Sequence, residues 1–163
     1  MTNDELEALD AIKQLKARYC RFIDTKDWDG FQGLWLSDSV LDATSDAEVQ
    51  TRASGVKPTE AELASFVAVG DKRIRFLAET NLGTLDAPKV QSCHYAFMPE
   101  LELTSPTTAR GIWSQQDELK WLNDRGPIKT LHGYGWYHET YQRVDGRWYI
   151  KTMKLIRHRL DVA

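Results

Sequence analysis

The chain has 163 residues, 42% of them hydrophobic and 28% charged, which fits a single globular domain over residues 1–163. Its 21 Lys and Arg residues against 24 Asp and Glu residues give a net charge of -3, so the basic excess that nucleic-acid binding requires is missing. No apolar run reaches the ~20 residues of a membrane helix, and the first residues lack the pattern of a secretory signal. The two cysteines are too few for a disulfide framework, so we expect a cytoplasmic protein that binds neither nucleic acid nor membranes.

The first segment shows the apolar period of a helix. Apolar side chains from Leu6 to Ile23 recur at spacings of three and four residues. Thr2 and Glu5 can form a capping box at the start of this stripe. The spacing therefore predicts a helix over residues 3–25.

A second, shorter helix is predicted directly after the first, with Asp27 as its N-cap. Its apolar face would carry Trp28, Phe31, Leu34 and Trp35. The two helices form a predicted hairpin joined by a short polar turn. From residue 39 to residue 56 the pattern weakens, and this stretch is interpreted as a loop with a short strand around Leu41.

Two more helical segments are predicted before the middle of the chain. Thr59 and Glu62 have the spacing of a capping box, and the apolar residues that follow predict a helix reaching about Val69. Another helical stretch is expected after Asp71.

From about residue 88 onward the composition becomes that of strands. The predicted strands are 89–97, 100–104, 109–121, 131–144 and 147–156, separated by turn signals that include Arg125-Gly126-Pro127. Asp145-Gly146 predicts a hairpin, because this pair adopts the positive φ angles of a type I′ turn. Helices followed by an antiparallel meander predict an α+β fold, in which helices close a curved sheet into a cone with an internal cavity.

Two predicted strands carry polar residues suited to chemistry. The alternation around His94 places it on one strand face with Ser92, where it is either a base or an ordinary core histidine. On the 109–121 strand, Asp117 shares a face with Trp113 and Gln115, so its carboxylate is either functional or exposed to solvent.

Two residues of the first helix are further candidates. Asp24 and Tyr19 lie five residues apart, an offset of about 140° around the helix, so they flank one stripe and can both face a wide cavity. The alternatives are a solvated carboxylate at the helix end for Asp24 and a core tyrosine for Tyr19.

Several familiar motifs are missing from the sequence. It has no GxGxxG, P-loop, HExxH or GxSxG pattern, and no His, Asp and Glu cluster at metal-ligand spacing. We therefore expect neither a metal nor an organic cofactor. Proton transfer on a substrate activated by its own carbonyl or leaving group is the chemistry that these residue types favour.

The arrangement resembles the SnoaL-like branch of the nuclear-transport-factor-2-like superfamily, whose members include scytalone dehydratase, bile-acid 7α-dehydratase, hexachlorocyclohexane dehydrochlorinase and polyketide cyclases. The resemblance runs from residues 12–24 through 28–35 to the closing hairpin at 141–150. It implies the cone-shaped barrel of this superfamily. It does not identify the substrate, because this fold serves enzymes, binding proteins and structural partners alike.

The resemblance also implies roles for individual residues. Asp24 matches the aspartate that orients the catalytic histidine in the lyases of the family, and His94 matches that histidine. Tyr19 and Asp117 stand where the bile-acid enzyme has a tyrosine and an aspartate. At Met153, where many members carry an arginine that faces the cavity, this sequence departs from the pattern, so the expected cation is absent unless a register shift brings Lys151 or Arg157 there.

These matches predict a cofactor-independent lyase of the dehydratase type, or an isomerase, acting on a small hydrophobic cyclic substrate such as a steroid, polyketide or terpenoid. His94 would remove a proton from carbon, Asp24 would orient the imidazole, and Tyr19 would bind or protonate the developing or departing oxygen. The predicted pocket is lined by Tyr19, Ile23, Asp24, Trp28, Trp35, Leu41, His94, Trp113, Gln115, Asp117, Tyr137 and Met153. The alternatives are a non-catalytic domain that binds a hydrophobic ligand or a partner, which Met153 favours, and an accessory subunit of an oxidative enzyme.

The 131–144 strand predicts how copies of the chain associate. Alternation places Gly133, Gly135 and Tyr137 on one face, which the resemblance directs to the pocket, and it places Tyr134, Trp136 and His138 on the other. An aromatic, charge-poor face of this kind is typical of an interface core. We therefore expect a homo-oligomer, a dimer or a trimer, unless residues 155–163 fold back over this face.

Overall fold

A computed structural model describes residues 1–47, 51, 55–123 and 128–163. Its helices are α1 (Asn3–Thr25), α2 (Trp28–Gln32), a 3-10 helix (Thr44–Asp46), α3 (Glu60–Ala64) and α4 (Asp71–Leu82). Its strands are β1 (Trp35–Asp42), β2 (Val67–Val69), β3 (Val90–Ser105), β4 (Thr108–Trp121), β5 (Thr130–Val144) and β6 (Arg147–Val162). None of the described helices is long and apolar enough to cross a membrane.

The N-terminal helices begin where their caps predict. Thr2 and Glu5 form the capping box of α1, and the Asp27 side chain accepts a hydrogen bond from the Gly30 amide at the start of α2. The prediction was wrong in extending the second helical face to Trp35, because that residue begins β1 and pairs with β6.

The third predicted helix has the right start and the wrong end. Thr59 and Glu62 cap α3 as predicted, but the helix ends at Ala64. The apolar residues that were assigned to its last turns form β2, which pairs antiparallel with β1. The predicted loop at 39–56 contains the end of β1 and the 3-10 helix, and part of it lies outside the described residues, as does the predicted break at 125–127.

The six strands form one open sheet in the order β2-β1-β6-β5-β4-β3. All neighbouring pairs are antiparallel except β1 and β6, which run parallel. The predicted antiparallel meander is therefore confirmed for the four strands β3 to β6. The two segments predicted on either side of Met98 are a single strand, β3, with an irregularity between Phe97 and Glu100. Asp145 and Gly146 have positive φ angles of 48° and 81°, as the predicted hairpin requires.

Helix α1 packs against the concave side of the sheet, and the core lies between them. The buried residues of α1, from Ala8 to Ile23, follow the predicted apolar stripe. On β5, Tyr137 is buried while Trp136 is 38% exposed, so the alternation separates an inner from an outer face as predicted. The helices thus close one side of the open curved sheet, which gives the α+β cone.

Candidate functional site

The side chains of Asp24 and His94 form a hydrogen-bonded pair between α1 and β3. Asp24 Oδ1 lies 2.6 Å from His94 Nδ1, and Asp24 Oδ2 accepts a 2.7 Å bond from the His94 backbone amide. The Ser92 hydroxyl adds a third bond to Oδ1, at 2.8 Å. A carboxylate only accepts hydrogen bonds, so Nδ1 of the neutral imidazole carries the hydrogen and Nε2 keeps a free lone pair.

Local structure explains why Asp24 is held so firmly. The residue lies in the last turn of α1, where the partial negative charge of the helix terminus disfavours a carboxylate. Three donors from β3 offset this cost. Period-2 alternation on β3 directs both Ser92 and His94 toward the helix, which is why this one strand supplies all three donors.

A cluster of two carboxylates around one guanidinium lies beside His94. The Arg157 guanidinium binds Asp117 through two hydrogen bonds of 2.6 and 2.8 Å, and its Nε donates to Asp46 Oδ1 at 2.9 Å. His94 and Asp117 face each other in the β3–β4 register, with His94 Nε2 4.0 Å from Asp117 Oδ2. The cluster therefore extends from the imidazole to the end of the 3-10 helix.

The two carboxyl groups that share Arg157 differ in their proton affinity. Burial alone would raise the pKa of Asp117, but the hydrogen bonds and the charge of Arg157 outweigh it and hold that pKa below its ordinary value. For Asp46, burial raises the pKa more than the positive charge of Arg157 lowers it. The negative charge of the nearby Asp117 carboxylate raises it further, so the pKa of Asp46 lies above its ordinary value. Asp117 is the anion of the pair, and Asp46 is the carboxyl that takes up a proton more readily.

Two tyrosines line the same region. The Tyr19 ring lies 5.8 Å from the Tyr137 ring, at an interplanar angle of 72°. Burial is the main reason that the pKa of each phenol is raised well above its ordinary value. Both hydroxyls therefore remain protonated and can donate hydrogen bonds to an oxygen that gains charge.

The cavity between α1, α4 and the sheet has a volume of about 580 Å³, a size typical of small-molecule sites. Of the predicted site residues, those that line it are Tyr19, Ile23, Leu41, His94, Asp117, Tyr137 and Met153. Much of the remaining wall is apolar and comes from α4 and the sheet, including Leu77, Leu82, Leu119 and Leu155.

Other predicted site residues lie elsewhere, which corrects the predicted lining. Trp28, Trp35, Trp113 and Gln115 are buried in the core and are not among the residues that line this cavity. The indoles of Trp28 and Trp113 are held by hydrogen bonds to the Gly83 carbonyl and to the Tyr141 hydroxyl. Asp24 stands behind His94 and lines a different, more open groove together with Ser92.

Arg157 corrects the expectation that Met153 leaves the cavity without a cation. Met153 is buried and lines the cavity as predicted. Arg157 lies four residues further along β6, on the same strand face, so simple alternation brings its guanidinium into the cavity without a register shift. Lys151 instead forms an ion pair with Asp38 outside the cavity.

Sequence reasoning missed Asp46 and did not assign Arg157 to the site. Asp46 follows β1 in a stretch without apolar periodicity, where no local pattern indicates that a carboxylate turns inward. For Arg157 the even spacing from Met153 was a usable signal. The described residues contain no cluster of His, Cys, Asp and Glu able to hold a metal ion.

Comparison with known proteins identifies the family. A model of the SnoaL-like domain matches residues 4–154. The chain belongs to the SnoaL-like family. The probable cyclase FGR4 of Gibberella zeae is 24% identical over 152 residues, covering 93% of this chain and 91% of that protein.

Two solved structures share the fold of this SnoaL-like protein. A candidate scytalone dehydratase of Novosphingobium aromaticivorans superposes with a TM-score of 0.74 at 19% identity, covering 99% of this chain and 91% of that one. A type 2 hexachlorocyclohexane dehydrochlorinase (LinA) also gives 0.74, at 17% identity, with 98% and 91% coverage. Identities this low establish the common architecture only.

Proposed function

We propose that this SnoaL-like protein is a cofactor-independent lyase of the dehydratase type, or an isomerase, acting on a small hydrophobic cyclic molecule. The observation that carries the proposal is the Asp24–His94 pair, whose imidazole lines a largely apolar cavity of about 580 Å³. A base in the wall of a largely apolar cavity can remove a proton from a carbon that a bound substrate presents to it.

His94 is the proposed base. The bond from Nδ1 to Asp24 fixes the tautomer in which Nε2 is unprotonated, and the carboxylate stabilises the imidazolium once the proton has moved. Asp117 lies 4.0 Å from Nε2 and adds a second negative charge that favours the imidazolium.

Tyr19 is the proposed donor to the oxygen that gains charge as the proton leaves carbon. Tyr19 lines the cavity, and the raised pKa of its phenol keeps the proton in place. The Tyr137 ring packs against the Tyr19 ring, so the two phenols line the same part of the cavity. A hydrogen bond that strengthens as the oxygen becomes an enolate lowers the barrier more than it tightens substrate binding.

The relatives are consistent with this chemistry. Their names describe a dehydratase, a dehydrochlorinase and a cyclase. Elimination of water or of HCl removes a proton from the carbon next to the one that loses the leaving group, and a single buried base can accept that proton without a cofactor.

The first test is a panel of steroid, polyketide and terpenoid hydroxy-ketones, followed by the new ultraviolet absorbance of a conjugated product. For a substrate found in this way, His94→Ala and Asp24→Asn should each lower kcat by at least about 100-fold, because the base or its orientation is lost. Far-ultraviolet circular dichroism should be unchanged, since neither side chain fills the apolar core.

His138→Ala is the matched control, because this histidine lies on the outer face of β5. Its kcat should equal that of the wild type. Full activity of either His94→Ala or Asp24→Asn would remove the pair from the reaction.

A second candidate function is the binding of a hydrophobic ligand without turnover. The buried Met153 in the cavity wall favours it, because this side chain adds apolar surface and no chemistry. This function predicts that panel compounds bind at a ratio of one per chain. If every compound that binds is recovered unchanged after prolonged incubation, ligand binding is supported over catalysis.

A further inference from the structure

A second groove adjoins the cavity and has no part in the mechanism described so far. It has a volume of about 940 Å³, which is large enough for a small molecule. Asp24 and Ser92 lie in its wall, whereas His94 lines the cavity. Three apolar residues belong to both walls, namely Val90, Leu119 and Leu131. The Asp24–His94 pair therefore stands between two neighbouring spaces, and 23% of the Asp24 side chain is accessible to solvent.

Lys26 is the unusual residue of the groove wall. It is only 8% exposed, although a lysine ordinarily extends its ammonium group into water. Among the described residues, this ammonium has no hydrogen-bond or ion-pair partner, whereas the buried Lys16 is paired with Glu139. Burial lowers the pKa of Lys26, and the negative charge of Asp24 offsets only part of this effect. A buried charge without a partner is costly, and an anion brought into the groove would reduce that cost.

The backbone of Lys26 adds a second, independent cost. The residue directly follows α1 and has a φ angle of 59° and a ψ angle of 29°. This left-handed conformation favours glycine, because the Cβ atom of any other residue is crowded there. Glycine would end the helix equally well. Residues other than glycine that adopt such angles are concentrated at ligand-binding and other functional sites, and Lys26 fits that pattern.

The surroundings of Lys26 define the ligand that would suit it. Leu85, Pro88 and Val90 give the groove an apolar surface. Asp24 is an anion in the same wall, and its two oxygens already accept hydrogen bonds from β3. A neutral molecule would leave the ammonium without a counter-charge, whereas a doubly charged anion such as a phosphate monoester would be repelled by Asp24. An anion with a single charge and an apolar body meets both conditions.

We infer that this groove is a second binding site, for a small monocarboxylic acid with an apolar body. The carboxylate pairs with the Lys26 ammonium, and the body covers Leu85, Pro88 and Val90. An occupant also restricts the access of water to Asp24, whose Oδ2 accepts the hydrogen bond of the His94 amide. The site goes beyond the proposed lyase function and does not depend on it, because no step of that reaction uses Lys26.

Calorimetric titration with benzoate and with benzamide tests the charge at the site, because the two probes have nearly the same shape. The wild type should bind benzoate at least about tenfold more tightly than benzamide, since only the anion pairs with Lys26. Lys26→Met should weaken benzoate binding at least about tenfold and change benzamide binding less than about threefold. Lys26→Arg keeps the charge and should restore most of the affinity for benzoate.

Lys120→Met is the matched control, because Lys120 is an exposed lysine of the same groove, where water already solvates its charge. Its affinity for benzoate should equal that of the wild type. Equal benzoate affinities of Lys26→Met and the wild type would overturn the assignment. A wild type that does not bind benzoate would also overturn it, and so would a loss of affinity in Lys120→Met in place of Lys26→Met.

Hydrogen exchange locates the bound probe. Saturating benzoate should slow exchange of the His94 amide about fivefold or more in the wild type, because an occupant of the groove shields the bond to Asp24, and it should have no effect in Lys26→Met. Unchanged exchange in the wild type, or chemical-shift changes confined to Tyr19 and Tyr137, would place benzoate elsewhere and overturn the proposal. None of these measurements uses turnover, so failure of the proposed lyase function would leave their outcome unchanged.

Discussion

At the scale of single residues, the two carboxyl groups on Arg157 should respond to pH in opposite directions. The pKa of Asp117 is lowered in the fold, so its charged form stabilises the protein above the ordinary pKa of about 4, and this stability is lost as pH falls through the folded pKa. The pKa of Asp46 is raised, so its contribution is greatest below about pH 4 and is lost as pH rises through the folded pKa.

The matched variants Asp117→Asn and Asp46→Asn test these signs. We expect Asp117→Asn to lower the free energy of unfolding at pH 7 by about 2–3 kcal/mol, a difference that shrinks as the pH drops below about 4. Asp46→Asn should be no less stable than wild type at pH 7 and should lose any advantage at low pH. Urea unfolding between pH 3 and pH 7 measures both. A larger loss for Asp46→Asn than for Asp117→Asn at neutral pH would contradict the assignment of the anion to Asp117.

At the scale of elements, strand β5 lies between β6 and β4, so it must leave space for the Arg157 guanidinium of β6 to reach Asp117 on β4. A Cβ atom on Gly133 would collide with both Arg157 Nη1 and Asp117 Oδ1. Gly133 pairs with Asp117 on β4, so the missing side chain creates the gap in which the ion pair forms. The strand, and not only the charged residues, thus positions the cluster.

Gly133→Ala should therefore displace the Arg157–Asp117 pair and destabilise the fold by about 1–3 kcal/mol. The weakened pair should also reduce the loss of stability between pH 5 and pH 3. Gly111→Ala on β4 is the control, because its Cβ would meet the flexible end of the Leu101 side chain. An acid-unfolding curve of Gly133→Ala that parallels that of the wild type would mean that the pair has survived the added methyl group.

Helix α1 is joined to β5 by a second, fully buried ion pair. Lys16 binds Glu139, which also accepts a hydrogen bond from Tyr141, and the Lys16 ammonium lies 3.5 Å from the centroid of the Tyr137 ring. Removing one partner of a buried pair leaves an uncompensated charge, whereas replacing both with apolar groups is often tolerated.

Lys16→Met should thus lower the free energy of unfolding by about 3–5 kcal/mol. The double variant Lys16→Met with Glu139→Leu should recover more than half of that loss, as measured by chemical denaturation. If the double variant is the less stable of the two, the polar network is needed for packing in its own right.

The elements differ in how well the sequence alone predicts them. Helix α1 was predicted to its end residues because one apolar stripe and a capping box specify it locally. Val67–Val69 was assigned to a helix because the pairing that makes it a strand comes from β1, far away in the sequence. Strand β6 runs six residues beyond its predicted end at Ile156. The polar residues 157–159 interrupt the alternation of apolar and polar residues, and the next buried apolar residue is Leu160.

The residues of the candidate site also differ in how well the sequence predicts their positions. Regular elements position Asp24, His94 and Asp117, so alternation and helical spacing placed them on faces that the structure brings together. Asp46 comes from an irregular segment, and only the folded sheet shows that its carboxyl meets Arg157. The tryptophans predicted in the pocket wall, Trp28, Trp35 and Trp113, fill the core beside the cavity. Periodicity alone shows that a residue faces inward and does not separate a residue that lines a cavity from one that packs in the core.

At the scale of the whole molecule, the convex face of the sheet carries an apolar row. Register places Phe97, Ser114, Trp136 and Ile156 side by side across β3, β4, β5 and β6. Phe97 and Trp136 are 39% and 38% exposed, and Tyr95 beside them is 48% exposed. Strand β6 continues alongside β5 to Val162, so the C-terminal segment does not fold back over this face.

We therefore expect the chain to form a homo-oligomer, a dimer or a trimer, that buries this row, because an exposed aromatic patch on a sheet is typical of an interface core. Trp136→Glu places a charge at its centre and should dissociate the assembly to single chains, as measured by light scattering at micromolar concentration. The control is Phe76→Glu, at an exposed aromatic of α4 on the helical side of the sheet, which should leave the mass of the assembly unchanged. A wild-type mass equal to one chain would contradict the prediction, and a multimer that survives Trp136→Glu but not Phe76→Glu would move the interface to the helices.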